Sequence, residues 1–156
     1  MPRDTLKGGA AFPPWPEGPG LHAAILMTGP NTVLVVDDQA PFRFAAKAVL
    51  RRLDGFELVG EGASGAEAIA LVDELHPDLV LMDINMPGMN GIEAARQIVA
   101  AHPEVVVLLC STYDVADLPP NVAASGASGY INKERFGAEA LRRLWEDRDS
   151  GVFAAG

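Results

Sequence analysis

Short apolar segments alternate with segments of helical periodicity from residue 32 onward. The apolar segments are residues 32–36, 56–60, 79–82, 104–110 and 128–131. Runs of this length that are rich in β-branched and apolar residues are typical of strands buried on both faces of a parallel sheet. The pattern therefore predicts five strands separated by helices.

The segments between these runs repeat apolar residues every three or four positions, which is the spacing of one helix face. Their predicted apolar faces are Phe42, Ala45, Val49 and Leu53; Ala68, Leu71 and Leu75; Ile92, Ala95 and Val99; and Phe136, Ala140, Leu141 and Leu144. The stretch of residues 111–125 has a weaker pattern, and Pro119-Pro120 excludes an ordinary helix through its middle. We expect a short helix after these prolines.

Capping patterns mark the ends of the predicted helices. Ser64 and Glu67 form a capping box before the second helix. Asn90 and Glu93 repeat the pattern before the third. The His-Pro pairs at 76–77 and 102–103 are expected to end these two helices, with each histidine as a cap and not as a metal ligand.

Strands that alternate with helices imply a doubly wound α/β fold, in which a parallel sheet is covered on both faces. Right-handed crossovers leave few topologies for such a sheet. We adopt the flavodoxin-like order 2-1-3-4-5, in which ligands bind at the carboxyl ends of the strands. The prediction is thus a five-stranded sheet with five flanking helices over residues 31–150, followed by a short, loop-like tail at 151–156.

The first thirty residues differ from the rest. They hold six of the twelve prolines and five glycines, so they cannot keep a regular ladder of backbone hydrogen bonds. We expect a disordered leader over residues 1–30. Met27 lies just before the first strand, which raises the hypothesis that translation starts there; mass spectrometry of the native N-terminus tests it.

Charge and cysteine content limit the classes of function that the chain can have. The net charge is −9, and residues 31–156 hold 10 basic and 19 acidic residues, which disfavours direct binding of nucleic acid. The single cysteine, Cys110, lies in an apolar run and is expected in the core. With no intrachain disulfide and no apolar stretch near the roughly 20 residues of a membrane span, we expect a cytoplasmic protein without membrane insertion.

Polar residues follow the predicted strands where each one ends. Asp37-Asp38 follow strand 1, Asp83 follows strand 3, Ser111 follows strand 4 and Lys133 follows strand 5. The carboxyl ends of parallel strands share one edge of a sheet, so these side chains are expected to meet.

Three carboxylates that meet without a metal would repel one another, and one would have to take up a proton. Magnesium resolves this conflict, because it prefers oxygen ligands. A carboxylate can also act as a nucleophile and form an aspartyl phosphate. Lys133 supplies a cation and the Ser111 hydroxyl a hydrogen-bond donor for the charge of an incoming phosphoryl group.

These motifs together resemble one family. The DD at 37–38, MDINMPGMNG around Asp83, Ser111 after an apolar strand and GASGYINK ending at Lys133 are similar to the CheY-like receiver domain of two-component response regulators. The resemblance covers roughly residues 31–148, and the motifs in this order and spacing are highly specific. Since few residues follow Trp145, the receiver is expected to stand alone.

The resemblance implies a role for each matching residue. Asp83 would be the phosphoacceptor, and Asp38 would bind Mg²⁺ directly together with Asp83 and the backbone carbonyl of Asn85. Asp37 would act mostly through metal-bound water. Lys133 would contact a phosphoryl oxygen.

The remaining two residues would form the switch. Ser111 would bond the phosphoryl group and draw its loop inward, and Tyr130 would swing in behind it. The phosphoryl group would come from a histidine kinase or phosphotransfer protein, and the face from strand 4 to helix 5 would then change for an unknown output protein.

Departures and alternatives accompany this interpretation. Glu134 stands where many members of the family have proline, and Pro119-Pro120 fall where helix 4 normally runs.

Asp37-Asp38 could instead cap a helix, Thr112 could replace Ser111, and Tyr130 could serve packing alone. The chain could also be the N-terminal fragment of a DNA-binding regulator, or a haloacid-dehalogenase-type Mg²⁺ phosphatase, although Asn85 stands where that phosphatase has a second acid.

Overall fold

The computed structural model describes residues 29–149 and 154–155. The chain divides into two units, Met1–Pro30 and Asn31–Gly156, and the fold below is that of the second unit. The predicted leader and the hypothesis of a start at Met27 therefore concern residues that lie, apart from 29 and 30, outside the described part of the chain.

One parallel sheet forms the centre of this unit. Its strands are β1 (Asn31–Val36), β2 (Phe56–Gly62), β3 (Leu79–Asp83), β4 (Val106–Ser111), β5 (Gly129–Asn132) and β6 (Ala154–Ala155). Their order is β2-β1-β3-β4-β5-β6, which confirms the predicted 2-1-3-4-5 arrangement. The two-residue β6 was not predicted, since the tail was expected to be loop-like; its backbone pairs in parallel with Tyr130 and Ile131 of β5.

Four α-helices flank the sheet within the described residues, where five were predicted. They are α1 (Ala40–Arg51), α2 (Gly65–Leu75), α3 (Gly91–Ala101) and α4 (Ala138–Glu146). The predicted "helix 5" is therefore α4 in the structure. None of the described helices is long and apolar enough to span a bilayer.

The missing helix lies between β4 and β5, where the chain forms two three-residue 3₁₀ turns, Val115–Asp117 and Pro120–Val122. The predicted short helix after the prolines is thus present only as a 3₁₀ turn that begins at Pro120 itself, and the fifth α-helix is absent from the described residues. Leu118 is extended at ψ 139°, as a residue before a proline must be. After the second turn, the Ser125 hydroxyl donates to the carbonyl of Val122 at 2.6 Å, a local bond that competes with helix formation.

The strands are buried because alternate side chains enter two separate cores. In β1, Leu34 and Val36 join the core beneath α2 and α3, whereas Val33 and Val35 join the core beneath α1 and α4. This two-sided burial explains the apolar runs in the sequence. The predicted face of α1 was wrong by one position at Ala45, which is exposed. The buried positions there are Ala46 and Leu50.

The N-cap half of each predicted capping box formed, but within the described residues the return bond to the cap amide did not. Glu67 accepts from the Ala63 amide, and Glu93 accepts from Arg96 and Gln97. The Ser64 hydroxyl accepts a hydrogen bond from the Glu67 amide at 3.1 Å, and the Asn90 side chain accepts one from the Glu93 amide at 2.9 Å. His76 ends α2 in the left-handed conformation, with φ 48°. These caps fix where the helices begin and end, and so they fix the loops that carry the polar residues.

Candidate functional site

The sheet register brings the predicted polar residues to one rim. Asp83, the last residue of β3, pairs with Cys110, so Ser111 at the end of β4 lies one position further along. Ser111 in turn pairs with Asn132, and Lys133 follows it. Asp37 comes directly after the end of β1. The carboxyl ends of β1, β3, β4 and β5 therefore surround one cleft.

Three carboxylates meet in this cleft. One oxygen each from Asp37, Asp38 and Asp83 lies within 4.8 Å of the others. Asp37 is fully buried and Asp83 is 4% exposed, whereas Asp38 is exposed to solvent. The cluster thus combines two buried acids with one that faces the opening.

Lys133 is the cation of the cluster. Its Nζ lies 2.6 Å from Oδ2 of Asp37 and 3.1 Å from Oδ1 of Asp83. The ammonium also lies 4.8 Å from the ring centroid of Phe42 on α1. Burial alone would lower the pKa of Lys133, but the hydrogen bond to Asp37 and the charge of Asp83 outweigh it and raise that pKa.

Asp83 has a strongly perturbed acidity. Burial, followed by the negative charge of Asp37, raises its pKa from 3.8 to about 6. Lys133 acts in the opposite direction but does not cancel these effects, and Asp38 adds a smaller repulsion. The site therefore holds more negative charge than its own lysine neutralises.

This donor set fits a magnesium ion. The three acids present carboxylate oxygens, which are hard ligands, and their charges exceed the single charge of Lys133. Oδ2 of Asp37 is buried and has the Lys133 ammonium, 2.6 Å away, as its charged partner. One ammonium does not neutralise three carboxylates, and a divalent cation would relieve the remaining repulsion.

Ser111 and Tyr130 are joined by a buried hydrogen bond. The two hydroxyl oxygens are 2.8 Å apart, and the Tyr130 hydroxyl also lies 3.1 Å from the carbonyl of Ser111 and 2.6 Å from that of Tyr113. The Ser111 hydroxyl in addition accepts from the Tyr113 amide at 3.1 Å. Tyr130 is fully buried. Serine, tyrosine and the loop after β4 thus form one hydrogen-bonded unit.

The cleft has a volume of about 180 Å³. Its lining residues are Gln39, Asp83, Asn85, Ser111, Thr112 and Lys133. Both candidate hydroxyl residues therefore reach it, Ser111 buried and Thr112 exposed. Gln39 was missed in the sequence, where an exposed glutamine after two acids carries no distinguishing pattern.

Two further residues that shape the rim were also missed. Gly91 is packed so tightly that a Cβ there would lie 2.0 Å from the carbonyl oxygen of Asp83. Arg43 donates from Nη1 to the carbonyl oxygen of Asp37 at 2.6 Å. A signal for Arg43 was present, because it shares the inward face of α1 with Ala46 and Leu50 at positions i, i+3 and i+7.

Comparison with known proteins gives a consistent family. The family model described as "Response regulator receiver domain" matches residues 33–145. The chain is 41% identical over 109 residues to the transcriptional regulatory protein DegU of Brevibacillus brevis, covering 70% of this chain and 46% of that protein. It is 38% identical over 101 residues to the chemotaxis protein CheY of Thermotoga maritima, covering 65% and 83%.

Solved structures share the fold. A LuxR-family two-component response regulator from Aurantimonas sp. SI85-9A1 superposes with a TM-score of 0.72 at 29% identity, over 81% of this chain and 90% of that one. The response regulator domain of Thermotoga maritima CheB gives 0.67 at 30% identity, over 77% and 97%. The chain spans about half the length of most of the curated regulators that it matches first. On the strength of the matched span and the shared topology, this protein belongs to the response regulator receiver domain family.

Proposed function

We propose that this receiver accepts a phosphoryl group on Asp83 from a histidine kinase or phosphotransfer protein, in a reaction that depends on Mg²⁺. The observation that carries the proposal is the contact of Lys133 Nζ with the Asp83 carboxylate, 3.1 Å away, next to two further acids that each have an oxygen within 4.8 Å of that carboxylate. Such a cluster gives a nucleophile, a cation and a set of metal ligands in one place. In this proposal the chain is a signalling domain that assists its own phosphorylation and dephosphorylation.

The chain's own residues have distinct roles in this proposal. Asp83 attacks the phosphorus atom with one carboxylate oxygen, and the bond from phosphorus to the donor nitrogen breaks as the new one forms. Lys133 stabilises the negative charge that develops on the phosphoryl oxygens. Asp38, Asp83 and the backbone carbonyl of Asn85 would hold Mg²⁺, with Asp37 acting through water. When bound, the metal would spread the charge of the transferring group.

The switch starts at the hydrogen bond between Ser111 and Tyr130. We propose that the Ser111 hydroxyl turns from Tyr130 to the phosphoryl group, so that the loop after β4 moves toward Asp83. Tyr130 keeps its contact with the carbonyl of Tyr113, 2.6 Å away, and holds the loop in its new position. The face from β4 to α4 would then present a changed surface to an output protein.

Treatment with acetyl phosphate and Mg²⁺, followed by intact-mass measurement, tests the proposal. The wild-type protein should gain one phosphoryl group, about 80 Da. The adduct should be lost in Asp83→Asn or with a chelator, and hydroxylamine should release it as it cleaves acyl phosphates. The matched control is Asp117→Asn, which changes an exposed acid in the first 3₁₀ turn and should be labelled normally. Labelling that persists in Asp83→Asn would contradict the assignment.

A second candidate is a receiver that governs a DNA-binding output in a longer gene product. The names of relatives favour it, since one is a transcriptional regulatory protein and one structural neighbour is a DNA-binding response regulator from Staphylococcus aureus. The reading frame beyond Gly156, together with the mass of the native product, distinguishes the two candidates. An immediate stop codon supports the separate receiver, and a following helix-turn-helix segment supports the second candidate.

A further inference from the structure

Arg43 connects α1, the edge strand β2 and the loop that carries the two acids after β1. Its Nη1 donates to the carbonyl oxygen of Asp37 at 2.6 Å, and its Nε donates to Oε1 of Glu61 at 3.2 Å. The Arg43 side chain is only 22% exposed. A bond of this length from a cation to a backbone carbonyl is strong, because one partner is charged.

Glu61, the acceptor of Arg43 on β2, has a second charged partner. Lys47, one helical turn after Arg43, donates from Nζ to the other carboxylate oxygen of Glu61 at 2.9 Å. The hydrogen bond from Lys47, together with its charge and that of Arg43, lowers the pKa of Glu61. Glu61 therefore stays ionised and holds the guanidinium in one orientation.

The importance of Arg43 follows from how the two acids are held. The Asp37 side chain accepts a hydrogen bond from the Gln39 amide at 2.9 Å and contacts Lys133, so several groups orient it. Asp38 makes no hydrogen bond or ion pair with any described residue. The peptide group between Asp37 and Asp38, whose carbonyl oxygen Arg43 holds, therefore sets where the Asp38 side chain leaves the backbone and which positions its carboxylate can reach.

We propose that Arg43 is a positioning residue for the magnesium site, and that Glu61 with Lys47 sets its orientation. This inference depends on the proposed function, because it concerns the same metal site. Arg43 does not touch the metal; it acts through the Asp37 carbonyl on the placement of the Asp38 carboxylate. Residues that orient metal ligands in this way commonly change metal affinity by 10–100-fold when they are removed.

Titration calorimetry of Mg²⁺ into the unphosphorylated protein tests the proposal without reference to phosphorylation. Arg43→Ala should raise the Mg²⁺ dissociation constant by about 10-fold or more. The matched control is Arg96→Ala, which removes an ion pair with Glu93 on α3, on the other face of the sheet. This control should bind Mg²⁺ as the wild type does, although it loses a similar pair.

Two conservative variants distinguish a role of Arg43 in positioning the metal ligands from a general effect on the stability of the fold. Arg43→Lys keeps a cation that can reach only one of the two acceptors, so its Mg²⁺ affinity should fall between those of wild type and Arg43→Ala. Glu61→Gln keeps an acceptor but removes the charge that orients the guanidinium, and it should weaken Mg²⁺ binding by a smaller factor. If Arg43→Ala does not fold, these two variants decide the question.

The results that would overturn the positioning role of Arg43 differ from those that would overturn the proposed function. A wild-type protein that neither binds Mg²⁺ nor becomes labelled would overturn the proposed function. Wild-type binding and labelling, with unchanged Mg²⁺ affinity in the folded Arg43 and Glu61 variants, would overturn the positioning role alone. Affinity that falls equally in Arg96→Ala would overturn it as well.

Discussion

Lys133 lies between two buried carboxylates, and its ammonium is closer to Asp37 than to Asp83. The distances are 2.6 Å to Oδ2 of Asp37 and 3.1 Å to Oδ1 of Asp83. The lysine therefore neutralises part of the charge of both acids, and a bound divalent cation would share this task. This arrangement makes the stability of the fold depend on charge at the cleft.

The first prediction concerns Lys133→Gln. The change removes the cation that separates Asp37 from Asp83, and the loss of one partner from a buried ion pair is strongly destabilising. We expect the free energy of unfolding to fall by about 3 kcal/mol in a chelator. Mg²⁺ should restore more stability to the variant than to wild type, because it replaces the missing charge.

Chemical denaturation with and without Mg²⁺ measures both effects. The control is Lys47→Gln, whose ion pair with Glu61 is 30% and 33% exposed and should contribute less than about 1 kcal/mol. Equal destabilisation by the two substitutions would show that the position of Lys133 between the acids has no special role.

The second prediction concerns the pH dependence of Asp83. Its folded-state pKa is about 6, above the usual 3.8, so the folded state binds this proton more tightly than the unfolded state does. Without metal, stability from this group is full below about pH 4 and is lost as pH rises through 6. A shift of about two units corresponds to roughly 3 kcal/mol.

Asp83→Asn should not show this loss. In a chelator, the stability of the variant relative to wild type should increase by up to about 3 kcal/mol between pH 4 and pH 8. Urea unfolding at these two pH values measures the difference. A stability difference that is constant across the range would mean that Asp83 has an ordinary acidity.

The sheet was predictable because alternate side chains of its strands enter two cores, which leaves an unbroken apolar signal. Val33 and Leu34 lie on opposite faces and are both fully buried. Caps such as Ser64 were predictable because they act within four residues. The segment around Pro119 was not, because two prolines exclude a helix without specifying what replaces it.

The location of the site was predictable from the residues that follow apolar runs. Asp83, Ser111 and Lys133 do so, and the ends of parallel strands must share an edge. The contact of Gly91 with Asp83 depends on the path of the loop between them, which no local pattern encodes. The position of Arg43 on the inward face of α1 was readable from the helical spacing, but its bond to Asp37 was not, since a sequence does not show which backbone carbonyls need a partner.

The third prediction concerns Gly91→Ala. A Cβ at this position would lie 2.0 Å from the carbonyl oxygen of Asp83 and 2.9 Å from its carbonyl carbon, so the clash is with backbone and not with a flexible side chain. The substitution must displace Asp83 or the start of α3. We expect a loss of about 1–3 kcal/mol in unfolding free energy, as for other overpacked sites, together with slower labelling by acetyl phosphate.

Gly137→Ala is the matched control, since a Cβ at that glycine meets nothing within 4 Å and its φ of −176° is extended. It precedes α4, where alanine is a somewhat poorer cap, so a change below about 1 kcal/mol is expected. Thermal denaturation and the labelling rate should separate the two variants. A labelling rate for Gly91→Ala equal to that of wild type would show that the rim tolerates the shift.

The fourth prediction concerns Tyr130→Phe. The change removes the hydroxyl that bonds Ser111 and the carbonyl of Tyr113, but the Asn132 side chain still donates to that carbonyl at 3.0 Å. Because the carbonyl keeps a partner, the loss of stability should be only about 1 kcal/mol. Hydrogen exchange over residues 112–118 should become faster in the unmodified variant, since the loop loses one of its side-chain attachments to β5 and keeps only the bond from Asn132.

Phosphorylation should also change exchange in this loop less in Tyr130→Phe than in wild type, because the Ser111 hydroxyl is already released from its buried partner. Tyr113→Phe is the control: its phenol hydroxyl bonds no described residue, although its backbone carbonyl does. Exchange measured before and after treatment with acetyl phosphate compares the three proteins. If Tyr113→Phe and Tyr130→Phe behave alike, the hydroxyl pair of Ser111 and Tyr130 does not control the loop. Phosphorylation of Asp83 would then change the output face through other contacts.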